Sequence, residues 1–226
     1  MINIISSMAT RQVLAELAAQ WQNASGVKVN IESMAGVDAA KRVQAGEAFD
    51  GVVLASDAIE KLAASACVLA GSRVDLVRSS VAVAVRAGTT LPDISTEAAL
   101  RSAIEAAPTI GYSTGPSGVA LVKLFEHWGL WAALQPRIVQ APPGVPVGTL
   151  VARGEVALGF QQLSELMHLD GITVVGNLPE AVGITTIFSA ATCTASNQHE
   201  TVAKLFAFMA STQTVSVKQK HGMQAA

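Results

Sequence analysis

The sequence predicts an α/β protein of two lobes joined by a hinge, with a cleft between them. Short apolar strands alternate with amphipathic helices along the whole chain, the order that builds largely parallel sheets covered by helices. Strand after strand runs into a turn of small and hydroxyl residues that opens a helix. Val74 to Val85 reads as one strand long enough to cross between two lobes. With 226 residues, half of them apolar and 14% charged, the chain can build one large core or two small ones.

Ile2 to Ile5 reads as a buried strand, and Ser6-Ser7-Met8-Ala9 as a turn. A helix follows from about Thr10 to Asn23, because Val13, Leu14, Leu17, Ala18 and Trp21 share one face at helical spacing, and Gly26 ends it. Val27 to Ile31 alternates as a strand. Ser33 to Gly36 is a turn, and Asp38 to Ala45 a helix stopped by Gly46. Asp50 to Ser56 is an apolar strand of the kind found in parallel sheets. Ser56 or Asp57 then caps the helix Ala58 to Ala66. After the long strand, Ser95 is the expected N-cap of a helix running to Ala106, with Glu97 placed to suit the helix dipole.

The central stretch is Thr109 to Gly118 and the helix Val119 to Trp128. A strand enters a turn carrying Ser113, Thr114 and Ser117, with Gly115 and Gly118 allowing close backbone approach. Unpartnered N–H groups and the helix dipole make such an end a cradle for an anion. The plain alternative is a strand–turn–helix joint with Ser117 as N-cap. Arg137 to Ala141 is a strand. Pro142 to Pro146 is a turn into the helix Val147 to Arg153. Val156 to Phe160 is a strand, and Gln161 to Glu165 opens a short helix. Ile172 to Val175 and Gly183 to Thr194 are strands. Glu200 to Ala210 and Val215 to Lys220 are helices, closing at His221-Gly222.

Ligands of such sheets sit beyond the carboxyl ends of the strands, where the turns at Ser6, Gly36, Ser117, Val145 and Gln161 all fall. Lobe I is expected to comprise residues 1–80 and 187–226, and lobe II residues 81–186. The hinge is expected near Arg78 to Val85 and Ile184 to Ala190. A formal charge of −2 offers no basic field for nucleic acid. No apolar run is long enough to span a bilayer. Cys67 and Cys193 have neither zinc nor redox spacing and read as apolar residues, with a disulfide open but not indicated. No His, Cys, Asp and Glu cluster has metal-ligand spacing, no cofactor is indicated, and the glycine-rich turn lacks a P-loop lysine. Met1 runs straight into a strand, so the chain is cytoplasmic if Met1 is its native start and periplasmic if a leader was removed.

Ser6-Ser7-Met8, Ala45-Gly46-Glu47-Ala48-Phe49-Asp50, Pro116-Ser117-Gly118, Leu158-Gly159 before Gln161-Gln162, and Lys220-His221-Gly222 occur in an order and spacing that together are specific. On them the chain resembles, over essentially its whole length, the molybdate-binding family of type 2 periplasmic solute-binding proteins. The resemblance implies two α/β lobes closing on an oxyanion, and an ABC transporter permease as partner. Its donor set carries over only in part. Ala9 stands where the family has a serine, with Ser6 and Ser7 just upstream. A second serine falls near Gly36 or Val37. The backbone donor at Ser117 is kept, another falls at Gly144 or Val145, and the family's tyrosine falls on Gln162. Lost donors of this kind cost about 1–3 kcal/mol each, so molybdate and tungstate are expected to be poor ligands.

The first expectation is therefore a solute-binding protein for a small anion, an oxyanion or organic acid. Ser6, Ser7, Met8, Gly36, Val37, Ser117, Gly118, Val145, Gln161 and Gln162 are its candidate ligand-binding residues. Arg11, Lys41, Arg73 or Arg78 could add charge, although a solvated face or hinge ion pair is the plainer reading of each. The alternative is an isomerase of an unsaturated tricarboxylate such as aconitate, an activity known on this fold. That chemistry needs a base near an acidic carbon and donors for an enediolate-like intermediate. Glu165 and Ser117 are candidate proton carriers, with neither singled out. His127, His168, His199 and His221 fall on no cleft turn. A sensor or relic role has no attached DNA-reading element to support it.

Overall fold

The computed structural model describes all 226 residues, Met1–Ala226. In chain order the elements are β1 (Ile2–Ser7), α1 (Arg11–Ser25, entered through a 3-10 turn at Met8–Thr10), β2 (Val29–Met34), α2 (Gly36–Gln44), β3 (Gly51–Ala55), α3 (Ser56–Ala64), β4 (Val74–Arg86), α4 (Glu97–Ala106), β5 (Ile110–Tyr112), α5 (Pro116–His127), α6 (Trp131–Leu134), β6 (Ile138–Gln140), α7 (Val147–Ala152), β7 (Leu158–Gln162), α8 (Leu163–Leu166), β8 (Ile172–Asn177), β9 (Thr185–Thr192), α9 (His199–Ala210), α10 (Val215–Lys220) and β10 (Met223–Ala225). The chain forms two compact units. Unit 1 is Met1–Ser79 with Thr186–Ala226, and unit 2 is Ser80–Thr185. The chain passes from one to the other inside β4 and returns inside β9. The architecture is mixed α/β, and no helix is long and apolar enough to cross a membrane.

In unit 1, β1 pairs in parallel with β2 and with β3. β9 runs antiparallel to β3, and β10 antiparallel to β4. Alternate residues of a strand face opposite sides. Ile2, Ile4 and Val53 accordingly pack with Val13, Leu14 and Leu17 of α1, Val202, Leu205 and Phe206 of α9, and Val217 of α10. Ile5, Val52 and Leu54 pack on the other side with Ala39 and Val43 of α2 and Ile59 and Leu62 of α3. Burying each such aliphatic side chain contributes roughly 1.5–3 kcal/mol. β3 must begin with glycine, since a Cβ on Gly51 would sit 2.5 Å from Phe206 Cζ.

In unit 2, β5 pairs in parallel with both β6 and β7. β7 and β8 run antiparallel to β4. Val81, Val83, Leu100, Ile104, Ile110, Leu121, Phe125 and Phe160 form the main core. Phe125 meets Phe160 edge-on at 6.2 Å. Trp128 Nε1–H donates to Glu97 Oε1 at 2.7 Å, tying the end of α5 to the start of α4.

Several local expectations change. The sheets are mixed rather than largely parallel, because β4, β9 and β10 bring antiparallel pairs with them. Ser6 and Ser7 belong to β1 rather than to a turn, and Gln161 and Gln162 close β7 rather than open a helix. α4 is capped by Thr96, whose Oγ1 accepts the Ala99 N–H at 3.1 Å; Ser95 instead donates its own N–H to Asp93. α3 starts at Ser56 itself, with no side-chain cap from Ser56 or Asp57.

Candidate functional site

In unit 2 the parallel register places Tyr112 beside both Phe160 and Gln140. The turns after β5, β6 and β7 therefore leave the same edge of the sheet, on strands about 4.8 Å apart. Ser117, Gly118, Val145, Gln161 and Gln162 all come from that edge.

The turn after β5 is tighter than an ordinary cap. α5 begins at Pro116 with Gly115 in front, so Ser117 is inside the first turn and not its N-cap. Pro116 has no N–H, and Gly118 N–H goes to Gly115 O at 3.0 Å. This leaves the Ser117 N–H as the first-turn donor. Ser117 is 4% exposed, and its Oγ lies 3.3 Å from Ser113 Oγ. A Cβ on Gly118 would lie 1.8 Å from Ser113 O, so the backbone closes on itself there. Val145 N–H is bonded to Pro142 O within its turn.

Gln161 is the fixed point of the edge. Its side chain is buried, and its Oε1 accepts the Val147 N–H at 2.7 Å. With the oxygen committed to α7, Nε2 must be the donor, and it donates to Glu165 Oε1 at 2.8 Å. Gln162 is buried beside it. Burial pushes the Glu165 carboxyl up to about 7, against a smaller opposing effect of the Gln161 bond. A carboxyl that exchanges its proton near neutrality is the kind of group acid–base catalysis uses. The Gln161–Glu165 spacing is visible in the sequence; the burial that changes the acidity of Glu165 is not.

In unit 1 the register Ser7↔Met34 brings the ends of β1 and β2 side by side. Gly36 follows, its Cβ direction 4.0 Å from Ser7 Oγ. Ser7 Oγ accepts the Ala9 N–H at 3.4 Å, and Met8 lies in the same short turn. Val37 is exposed at the start of α2. Ser6 is different: it is fully buried, and its Oγ lies 2.7 Å from Ser33 Oγ inside the sheet. Its hydroxyl therefore already has one partner within the strand pair.

The basic candidates divide in the same way. Arg73 binds Glu60 and Asp75, and Lys41 binds Asp38, while Arg11 and Arg78 are exposed. His221 is buried against Glu16 Oε2 at 2.9 Å. Cys67 is half-buried and Cys193 buried, and both are free thiols. No three His, Cys, Asp or Glu side chains cluster as metal ligands would. Lys218, buried in unit 1, carries no distinguishing signal in the sequence.

Comparison with known proteins gives three kinds of match. The profile of the family described as bacterial extracellular solute-binding protein matches residues 2–224. An aconitate isomerase from Pseudomonas sp. is 35% identical over 229 aligned residues, 99% of this chain and 87% of that protein. Among solved structures, the periplasmic molybdate-binding protein of Azotobacter vinelandii superposes with a TM-score of 0.81 at 21% identity, over 99% of this chain and 98% of that one. PEB3 with L-phospholactate bound superposes with a TM-score of 0.77 at 13% identity, over all of both chains.

Proposed function

Since the chain belongs to the bacterial extracellular solute-binding protein family, of type 2 periplasmic fold, we propose that it takes an unsaturated tricarboxylate of the aconitate class and shifts a proton along it, interconverting the cis and trans forms. The observation that carries this reading is Glu165, a carboxyl of acidity near 7 held by Gln161 at the same sheet edge as the Ser117 turn. The 35% identity to an aconitate isomerase across nearly the whole chain supports the substrate class.

The chemistry needs no co-reactant. Ionised Glu165 takes a proton from the methylene carbon next to a carboxylate. The C–H electron pair enters the neighbouring double bond system, and the old double bond shifts by one carbon. Glu165 then returns the proton to the former vinylic carbon. The product has the same constitution, and the rotamer held during the transfer sets its double-bond geometry. Charge that builds on the carboxylates in the intermediate is stabilised by N–H donors such as that of Ser117. A base of acidity near the working pH suits both halves of the transfer.

The test is to mix the chain with cis-aconitate and follow the trans isomer by proton NMR. Turnover that is lost in Glu165→Gln, with trans-aconitate still raising the melting temperature of that variant, is the expected result. No turnover by the parent chain refutes the proton transfer. The family match over residues 2–224 favours a second reading, capture of a small organic anion for an ABC transporter without conversion. Stabilisation by a carboxylate with no turnover would select it.

A further inference from the structure

The α1 side of unit 1 holds a cation with nothing to neutralise it. Thr214, Val217, Lys218 and His221 point inward at i, i+3, i+4 and i+7, the stripe by which a helix packs. Lys218 takes the place of a core residue in that stripe. It is 0% exposed, and its Nζ has no hydrogen-bond partner. Carboxylates on α1, which packs against α10, and on β4, which pairs with β10, are already engaged. On α1, Glu16 binds Lys220 at 2.8 Å and His221 at 2.9 Å. On β4, Asp75 binds Arg73 at 2.9 Å and Ser189 Oγ at 2.6 Å.

A second orphaned polar atom lies on the same side. Ser79 Oγ is buried without a partner. Ser79 opposes Met223 on β10, and Met223 packs in the α1 core. The hydroxyl therefore faces the layer that contains α10. Its level along the sheet is also fixed. Asp75 meets Ser189 and Ser80 meets Thr185, so β4 and β9 run antiparallel. Ser79 thus lies past the level of Phe188, which faces Ala55, the last residue of β3. That is the edge at which β1 and β2 deliver Ser7 and Gly36.

We propose that Lys218 and Ser79 form an anion subsite on unit 1, Lys218 supplying the charge and Ser79 a hydroxyl donor to one carboxylate of a ligand seated at that edge. The identity of the ligand as a tricarboxylate rests on the reading in the preceding subsection. A buried ammonium without a partner destabilises the empty protein, and removing its charge relieves that penalty. Burial holds the amine below the ordinary lysine range, and an incoming carboxylate restores it. The flexible lysine stem lets the ammonium swing toward the edge while its methylenes stay packed. A structural lysine would behave differently: losing it would weaken the fold and leave ligand affinity unchanged.

The test titrates the full chain and Lys218→Met with trans-aconitate, citrate and inorganic phosphate by calorimetry, and melts each protein empty. The expected result is an affinity for trans-aconitate or citrate lower by about tenfold or more in Lys218→Met, as for loss of a charged hydrogen-bond partner. The empty variant should melt at or above the temperature of the parent. Ser79→Ala should show a smaller loss in the same direction. Lys218→Gln, which removes the charge and keeps a polar end, repeats the measurement if the methionine variant misfolds. Parent-like affinity in either Lys218 variant overturns the subsite alone. A parent chain that binds none of the three anions overturns both the subsite and the ligand class it rests on.

Discussion

Replacing Glu165 with glutamine should make the protein more stable above neutral pH, and the sign is opposite to that of most carboxyl substitutions. In the unfolded chain the carboxyl ionises near 4.5, and in the folded protein burial pushes it up to about 7. The native state therefore binds more protons than the unfolded state between those values. The stability this group lends is fully present below about 4.5, is lost as pH rises through about 7, and does not return above it. The gap of about 2.5 pH units corresponds to about 3.4 kcal/mol at most. Part of the side chain still reaches solvent, so about 2 kcal/mol is the working figure. Glutamine has nearly the same shape, and its Oε1 still accepts from Gln161 Nε2. Urea unfolding followed by circular dichroism at pH 5 and pH 8, with parent and variant compared at each, cancels every other titrating group. The variant should gain about 2 kcal/mol on the parent between the two conditions. An equal difference at both pH values, or a variant less stable than the parent at pH 8, would refute the raised acidity and with it the assignment of Glu165 as base.

Other substitutions test the surrounding structure. Gly118→Ala drives a Cβ to within 1.8 Å of Ser113 O and 2.9 Å of Tyr112 Cδ2, so the turn must move. A loss of about 3 kcal/mol or more by thermal melting is expected. Gly36→Ala meets only Leu54 at 3.7 Å and Ser7 at 4.0 Å, and should change stability by less than about 0.5 kcal/mol in the same assay. Asp50→Ala removes the acceptor of Asn3 N–H at 2.9 Å and of Ser196 Oγ at 2.6 Å, and should cost about 2–4 kcal/mol in urea unfolding. Phe125→Ala empties the centre of the unit 2 core beside Phe160 and Trp128. A loss of about 3–5 kcal/mol is expected, again read from urea unfolding.

What could be read from the chain follows from what repeats in it. The inward faces of α1 and α9 are spelled by their spacing, and Gly26 ends α1 in a left-handed conformation at φ 71. β4 reads as one long strand because thirteen residues carry no turn signal. Caps are less legible, since Ser95 and Thr96 are both good caps in isolation and only the path of the chain selects Thr96. β10 has three residues after Gly222 and is held by pairing to β4, so no local pattern marks it. For the candidate residues, position at a strand end was legible and side-chain commitment was not. Ser6 and Ser7 are adjacent in sequence, yet Ser6 Oγ bonds across the strand pair to Ser33 while Ser7 Oγ accepts the Ala9 N–H at the strand end. Lys218 reads as a surface residue in Val-Ser-Val-Lys because nothing local says that its helix packs on that face.

The geometry of unit 2 also bears on which guest its donors would suit. A tetrahedral oxyanion is held by fixed donors whose geometry does not change on binding. Gln161 is a poor donor of that kind, because its oxygen is locked to Val147 N–H and its nitrogen already serves Glu165. The same two bonds make it a good support for a carboxyl that must face one way while it gains and loses a proton. Dismantling the support would leave a buried N–H at Val147 unpaired and Glu165 free to turn. Protonated, the Glu165 carboxyl can donate a hydrogen bond to an anionic guest; ionised, it can take a proton from one. On the proposed reading, a fixed, half-buried carboxyl of near-neutral acidity serves a guest that carries a proton to be moved, as the methylene of an unsaturated tricarboxylate does.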